Sequence, residues 1–577
     1  MSSQQKTSLL DVLVKQNHHR KSGISISKPL LLPWHRRSRS HELNPSMEID
    51  EVGSTKDSIT EDNENDYSSI YYIFKNLGPN FGSSFLFYIL GFLETHFIGQ
   101  QKDTALLDGI GLALTYSTTL FYGNGLGISE GLAVLCSKSF GLGHFRSINI
   151  KTKQARFLTN CYGVFFMVIN LLFLENILNL LAPNESYTQI SKTFILWTMP
   201  ASLLELHFEV SAKFNESQLI YKPVLLGLCS ALVLNPVLCY ITLSIYKLGV
   251  WGCIITTNST AFIKLLVITI TSACIKKTPE QLESAGMFDF QDFFQGFKKL
   301  VIMVMTCTWS TFMQGGGVVV TGFLAVRLGE QNYAKYIILM NISNIFQIIS
   351  YSLYNTCCIL VGNIVGVNKP DEIRTIMKNF YLIFAIVSVI IVTLIVVFHN
   401  PITFFFTEID TIRGTDIFWE ITLIAFGEML ACLTSLNNGL IIGLEKIKRA
   451  SIVSFFSFFI ILPVCSYIIG IYFEFGLIGI VLSYVLCHTF GSVSTSIMIC
   501  FLNYEKICND YNTICEVKPE LESGVEEVEY EPEEIDEDEE GGNYVIVPIE
   551  SKVYVKRKSR NFSEDLTHDN DRQQKLI

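Results

Sequence analysis

Six glutamates stand in stretches of this sequence that are otherwise apolar: Glu94, Glu130, Glu175, Glu205, Glu209 and Glu428. A carboxylate at the depth of lipid is costly to place there, so it reads as functional by default. The chemistry open to it is narrow. It can hold a proton or a cation and release it again, because a carboxyl group removed from water prefers its neutral form until water or a positive charge arrives. Glu94 stands in Leu90-Gly-Phe-Leu-Glu94-Thr95-His96-Phe-Ile-Gly99, where His96 or a neighbouring helix is the competing, merely structural partner. Glu205 and Glu209 are four residues apart, which stacks them on one helix face. Glu209 is also close enough to a helix end to snorkel. Glu428 heads the segment Glu428-Met-Leu-Ala-Cys432. Asp108, Asp416 and Glu420 lie near the ends of apolar stretches, within reach of water, and for Glu130 and Glu175 a packing role leads. Nothing suggests an enzyme or a metal centre: there is no HExxH, no His/Asp cluster and no Gly-x-Ser-x-Gly elbow, and His96, His207 and His488 are scattered over three apolar stretches.

Composition says what must position these acids. The 577 residues are 49% hydrophobic and 17% charged, with a formal charge of −11. Fewer charges than in a typical soluble chain exclude a soluble multidomain enzyme, and the profile also excludes collagenous, disulfide-rich and wholly disordered chains. The acidity is confined to the ends. Residues 1–70 hold 9 Lys/Arg and 10 Asp/Glu, residues 503–577 hold 9 and 21, and the body between them is nearly neutral. That body divides into twelve apolar windows of bilayer-spanning length, near 79–99, 106–136, 157–182, 193–212, 223–243, 249–274, 300–325, 336–364, 379–399, 415–443, 450–473 and 476–502. About seventy polar residues precede the first, so it is not a cleavable signal. With the N-terminus in the cytosol, seventeen Lys/Arg fall in inner loops and six in outer ones. That bias puts both tails in the cytosol. The fifteen cysteines include no CxxC pair and mostly sit inside apolar runs, as small packing residues. The expected organisation is therefore a disordered cytosolic tail (1–70), a six-helix bundle (71–276), a cytosolic linker (277–299), a second six-helix bundle (300–502) and a disordered acidic cytosolic tail (503–577). Basic runs such as His35–Ser40 and Lys556–Arg560, with the acid block Glu526–Glu540, make the tails solvated segments open to regulatory or sorting proteins. No nucleic acid is expected as a partner.

One feature occurs twice. Gly127-Ile-Ser-Glu-Gly-Leu-Ala-Val-Leu-Cys-Ser-Lys-Ser-Phe-Gly141-Leu-Gly143 ends the second window, and Leu360-Val-Gly362-Asn363-Ile-Val-Gly366-Val-Asn-Lys-Pro370 ends the eighth. Both run into a basic inner loop. A recurrence six spans later with the same orientation implies two parallel halves related by an axis along the membrane normal, the plan of transporters that hold substrate between rocking halves. Glycines at such ends let helices approach closely and terminate at positive φ.

At these residues the chain resembles the MATE (multidrug and toxic compound extrusion) family, in the style of its fungal members. The first signature lies on Gly127–Gly143 without a gap, matching at Gly127, Leu132, Leu135, Cys136, Phe140, Gly141 and Gly143 and departing at Ala133 and Lys138. The second keeps Val361, Gly362, Asn363, Gly366 and Pro370 and loses an Arg. Weaker echoes are Pro200 to Gln218, Gly249-Val-Trp-Gly252, Gly439-Leu-Ile-Ile-Gly443 and Phe458-Phe459 with Pro463. The resemblance covers roughly 71–502 and implies an all-α membrane protein with a V-shaped central cavity. It also implies antiport of an organic, often cationic, solute or xenobiotic against protons by rocking alternating access, in a vacuolar or plasma membrane, by a monomer without a cofactor.

Glu94 matches the family's first-span acid, which in many members binds the coupling cation. Asn235 is kept in span five, but Cys239 replaces the acid one turn on, so Glu205 and Glu209 are the candidates to supply the missing charge. The span-seven acid of plant and animal members is absent, Trp309 and Gln314 occupy the neighbourhood, and Glu428 is the candidate to compensate. Thr95, Trp309, Gln314 and Tyr354 are the candidate cavity residues, and the second-half aromatics Phe312, Tyr351, Phe455 and Phe459 suit organic cations. Sodium remains the other coupling ion to consider, with Glu94, Thr95 and Asn235 as oxygen donors. A lipid or lipid-linked flippase of the same superfamily is the alternative. It needs a basic cavity, whereas Lys264 is the single Lys or Arg read within the spans. A carrier dedicated to one metabolite is the other.

Overall fold

The computed structural model describes residues 69–101, 104–181, 185–275, 293–401, 417–511, 546–549 and 552–555. The N-terminal tail, the greater part of the inter-half linker and the acid block lie outside these residues. Twelve helical spans make up the described body. The first six are α1 (Ile70–Gly99), α2 (Thr104–Tyr116 continued through Ser117–Tyr122 and Gly123–Gly141), α3 (Phe145–Leu181), α4 (Glu185–Glu216), α5 (Lys222–Cys239 continued by Tyr240–Ile245) and α6 (Val250–Cys274). The second six are α7 (Phe297–Val326), α8 (Glu330–Val367), α9 (Pro370–Val397), α10 (Phe418–Gly443), α11 (Ile447–Tyr472) and α12 (Gly476–Cys500). Ten of the twelve are long and apolar enough to cross a bilayer by composition alone; α2 and α4, rich in glycine and in charge respectively, are not.

The helices outrun the apolar windows. α1 begins at Ile70 and α3 at Phe145, nine and twelve residues before their windows. Apolar windows mark lipid-facing lengths, whereas a helix continues wherever its polar side chains find water or partners. Both chain ends of the helical body emerge at one end of the molecule, called here the tail end. Turn chemistry there follows rule. α8 stops at Asn368 with φ of +60°, and α9 starts with Pro370 in its first turn followed by Asp371 and Glu372 on the positive end of the dipole. Gly143, φ +74°, closes α2.

The two repeated motifs meet each other. A Cβ on Gly141 would run into the Asn363 carbonyl and Gly366, one on Gly366 into the Lys138 carbonyl and Gly141, and one on Gly362 into Ser137. Higher along α2, a Cβ on Gly127 would strike Thr308 of α7, and one on Gly131 would crowd Val304. Gly439 and Gly443 of α10 do the same within the second half, against Tyr354 and Cys358 of α8. The halves are thus joined at the tail end by glycine-to-backbone contacts around the axis that relates them.

Two expectations are corrected. The chain beyond 502 is not without structure: residues 504–511 form a helix, α13, whose Cys508 is fully buried against α8 and α9, and Ile546–Ile549 and Lys552–Val555 pair as antiparallel strands β1 and β2. Nor is Lys264 the single buried lysine of the spans. Lys138 and Lys213, read as inner-loop residues, are 1% and 2% exposed and belong to α2 and α4. Both turn inward to carboxylates, Lys138 to Glu445 at 3.4 Å and Lys213 to Glu216 at 2.9 Å, instead of snorkelling to water.

Candidate functional site

A cleft opens between the halves, walled by α1, α2, α4, α5 and α8, and encloses a cavity of about 140 Å³. That is less than a drug-sized ligand fills, so the cleft must widen to take one. α4 gives it charge. Glu209, Lys213 and Glu216 stand at i, i+4 and i+7, which is one face of one helix, and all three line the cleft. α2 supplies Tyr122, the last residue of a π-helical segment (Ser117–Tyr122); such bulges re-aim side chains and recur at functional sites. Tyr122 Oη donates to Glu209 Oε1 at 2.9 Å. Phe87, Phe208 and Tyr351 add aromatic wall.

The floor of the cleft is a polar network joining the halves. Lys213 Nζ donates to Asn355 Oδ1 at 2.8 Å while paired with Glu216. Asn355 Nδ2 donates in turn to Glu216 Oε2 at 2.9 Å and to Asn80 Oδ1 at 3.1 Å, and Asn80 Nδ2 donates to Thr356 Oγ1 at 2.9 Å. Asn355 and Thr356 belong to the second half, the others to the first. A rocking motion that parts α8 from α4 and α1 must break these bonds together, while leaving Lys213 with Glu216.

Behind the aromatic wall lies a second ion pair. Lys264 of α6, 1% exposed, pairs with Glu205, and its ammonium lies 4.6 Å from the Phe208 ring centre and 5.6 Å from that of Phe87. Glu94 accepts a hydrogen bond from Thr257 Oγ1 at 2.7 Å, with Glu205 and Lys264 in electrostatic range. His96 does not neutralise it; that ring bonds Gln100 at 3.0 Å. Cys239, where the resemblance implies an acid, is also in electrostatic range of Glu94. Asn235 itself turns to Thr260 at 3.5 Å, and Thr95 donates to the Gly91 carbonyl at 3.0 Å in its own turn.

In the second half Glu428 is 1% exposed and accepts hydrogen bonds from Ser343 and from Tyr484, the latter at 2.5 Å. Its other oxygen has no hydrogen-bond partner, and among the described residues no cation pairs with it. His488 packs edge-on to Tyr484, ring centres 4.4 Å apart, with neither nitrogen hydrogen-bonded.

The structure therefore gathers Glu94, Glu205 and Glu209 into the first half, as the i, i+4 spacing suggested, and sets Glu428 apart in the second. It does not bring the four cavity candidates together. Trp309 is half-exposed beside Phe312, Gln314 ties α7 to Ser454 of α11 at 3.4 Å, and Tyr354 packs under Gly439, so Tyr351, one turn back, takes the cleft position. Glu420 is largely buried, 7% exposed, in the first turn of α10. Glu175 bonds Lys192 at 2.7 Å on the surface. Tyr122, Lys213, Glu216, Asn80 and Asn355 were missed. For Lys213 and Glu216 the signal was present, since the helical spacing from Glu209 aligns them; the π-helical turn that aims Tyr122 has no sequence mark.

One family model, MatE, matches the chain twice, over residues 79–241 and 302–468, which together span more than half of it. Two matches of one model, one in each half, are what a parallel repeat requires. "Multidrug and toxin extrusion protein 1" of Danio rerio is 20% identical over 444 residues, 76% of this chain and 73% of that one. "Protein DETOXIFICATION 49" of Arabidopsis thaliana is 24% identical over 296 residues, 50% of this chain and 57% of that one. Among solved structures, the eukaryotic MATE transporter AtDTX14 superposes with a TM-score of 0.68 at 14% identity, over 76% of this chain and 97% of that one. An outward-facing multidrug resistance MATE family transporter gives 0.68 at 14% identity, over 75% and 97%. These likenesses establish the same fold.

Proposed function

The chain belongs to the MATE family of membrane transporters, and on that premise we propose that it is an antiporter moving a small organic cation away from the cytosol in exchange for protons. The tail end faces the cytosol, on the strength of the lysine and arginine bias, and the membrane is vacuolar or plasma. The observation that carries the reading is the between-half cleft with Glu209 and aromatic rings on its walls, in a body whose two halves each hold a further carboxylate met by hydroxyl donors, Glu94 by Thr257 and Glu428 by Ser343 and Tyr484. Carboxylates balance an organic cation's charge, and rings hold it through their faces.

Protons fit better than sodium. Sodium takes several oxygens converging at short range, but Thr95 bonds within its own turn and Asn235 bonds Thr260 and Cys239, so the one oxygen hydrogen-bonded to Glu94 is that of Thr257. Buried carboxylates are stable when paired, and a proton is the smallest partner. In the exchange, a proton on Glu94 or Glu428 and substrate in the cleft replace one another as charge compensation, so uncoupled leak is suppressed. The glycine contacts and the Asn80–Asn355 network hold the tail end shut while the site is open to the other side. A lipid flippase gains nothing from Lys213, whose charge Glu216 cancels.

Proton-driven uptake of a labelled organic cation into vesicles tests this, with wild type, Glu94→Gln and Glu428→Gln compared under an imposed pH gradient. Expected is loss of gradient-driven uptake in both variants. Wild-type rates in both would overturn the site assignment.

A further inference from the structure

At the tail ends of α7 and α11 the surface folds into a second cleft, with a cavity volume of about 600 Å³. Lys298 and Lys299 come to it from α7, Lys446, Lys448 and Arg449 from the α10–α11 turn and the start of α11, and Glu445 is the one acid among its lining residues. Glu445 is already taken: its carboxylate bonds Lys299 at 2.9 Å and Lys138 at 3.4 Å. Among the described residues no carboxylate pairs with Lys298, Lys446, Lys448 or Arg449.

Basic residues on the cytosolic side are ordinary in themselves. What is not ordinary is their convergence. Five cations from two segments roughly 150 residues apart in sequence share one concavity. At the same end Lys213 is matched by Glu216 and Lys369 by Glu372, while Lys222 and Lys378 stand exposed and apart. The cleft is also two-faced. Ile302 and Met303 form an apolar wall within it, and Ile302 and, on α11 just beyond Arg449, Ile452 are 45% and 56% exposed. A soluble anion would use the cations and leave these side chains unused. A lipid headgroup with its acyl chains uses both.

We propose that this cleft binds the polyphosphorylated headgroup of an anionic lipid in the leaflet at the tail end, phosphates on Lys298, Lys446, Lys448 and Arg449 and acyl chains along Ile302 and Ile452. Basic pockets between spans are suited to such headgroups. Several phosphates are needed to match four unpaired cations, because each monoester carries roughly −1.5 to −2. Lys299 couples the site to the transport cycle. It is shared between the cleft and Glu445, so a bound phosphate competes with Glu445, which also holds Lys138 of the first half. The lipid thereby acts on the contact that closes the tail end.

The test is binding to the purified full chain in phosphatidylcholine nanodiscs. The probes are dioctanoyl phosphatidylinositol bisphosphate, dioctanoyl phosphatidylcholine and free inositol trisphosphate. The bisphosphate lipid is expected to bind, to bind more tightly than the free headgroup, and to weaken about tenfold or more in Lys448→Gln/Arg449→Gln. Lys222→Gln/Lys378→Gln removes the same charge from exposed positions at the same end and is expected to change binding less than about twofold. Equal weakening by both pairs would reduce the effect to surface charge and overturn the site. So would no binding of the bisphosphate lipid. Free inositol trisphosphate binding as tightly as the lipid would overturn the lipid as occupant and assign the cleft to a soluble polyphosphate. None of these readouts depends on transported substrate, so failure here and failure of the antiport reading are separate results.

Discussion

The two halves share a backbone plan and differ in the company their acids keep. In the first, Glu205 pairs with Lys264, Glu216 with Lys213, and Glu209 takes the Tyr122 hydroxyl at the cleft wall. In the second, Glu428 is enclosed with Ser343 and Tyr484, and among the described residues no ammonium pairs with it. Glycines cross at equivalent places in both, Gly141 upon Gly366. The repeat has therefore kept what a rocking hinge needs, close backbone approach, and let the chemistry diverge. An ionised carboxylate beside a lysine is compensated without a proton, and one surrounded by hydroxyls is not. On the proposed exchange, the hydroxyl-bonded Glu428 and Glu94 are therefore the acids whose occupancy changes by a proton, and the ion-paired Glu205 and Glu216 are not.

The largest effect expected from this contrast is at Glu428. Glu428→Gln keeps the shape and can still accept from Ser343 and Tyr484, but cannot carry a proton. Gradient-driven uptake should fall about 100-fold, the scale of losing a proton-transfer group, and its pH dependence should flatten. Folding should survive, as judged by unchanged size-exclusion behaviour. If Glu428→Gln keeps the pH dependence and Glu209→Gln loses it, the roles of the halves are reversed.

The sequence carried the architecture further than it carried the site. Twelve windows became twelve helices, and the Gly127–Gly143 and Leu360–Pro370 motifs proved to touch each other, because apolar length and glycine spacing are local properties with direct structural consequences. Helix ends were misjudged where polar residues continue the helix, and Lys138 and Lys213 were consequently read as loop residues. Among acids, Glu94, Glu205, Glu209 and Glu428 were found by their cost in lipid. Their partners were not, since Thr257 with Glu94, Lys264 with Glu205 and Ser343 with Glu428 are neighbours across 163, 59 and 85 positions of sequence. Periodicity places a residue on a face and says nothing of which helix that face meets.

Lys264 sharpens the contrast next. Lys264→Met removes the ammonium from a partner left largely buried, and breaking such a pair costs about 3–5 kcal/mol. A fall in thermal stability in detergent should follow, and Lys264→Met/Glu205→Leu should recover much of it, because an apolar pair of similar volume replaces an ion pair at little cost. Equal losses in the single and double variants would mean that Glu205 is compensated by another group and that the first half is less ion-paired than drawn here.

A smaller effect tests what the halves share. Gly366→Ala sets a methyl group against the Lys138 carbonyl and Gly141, an overpacking cost of about 1–3 kcal/mol. The strain exists when the tail end is shut and is relieved when it opens. Labelling of Ser137→Cys by an impermeant thiol reagent from the tail side should therefore rise in the Gly366→Ala background. No change in labelling would show that the glycine crossing stays closed through the cycle.

The smallest effect concerns the charge clasp beside that crossing. Glu445 adopts φ of +59°, a left-handed conformation unusual for a residue with a Cβ, and its carboxylate is shared by Lys138 of the first half and Lys299 of the second. Burial alone would raise its pKa, but the two lysines outweigh burial and hold it below the usual carboxylate value. A lowered folded-state pKa contributes stability that is complete above the unfolded value of roughly 4.3 and is lost as pH falls through the lower folded one. Glu445→Gln should therefore cost about 1 kcal/mol at pH 7, a modest sum because Lys299 is half-exposed and salt screens it. Melting curves at pH 7 and at pH 3 should show that difference shrinking toward zero at the lower pH. A difference that persisted would locate the contribution of Glu445 in its strained backbone and helix-end hydrogen bonds, leaving the glycine contacts to hold the two halves together at this end.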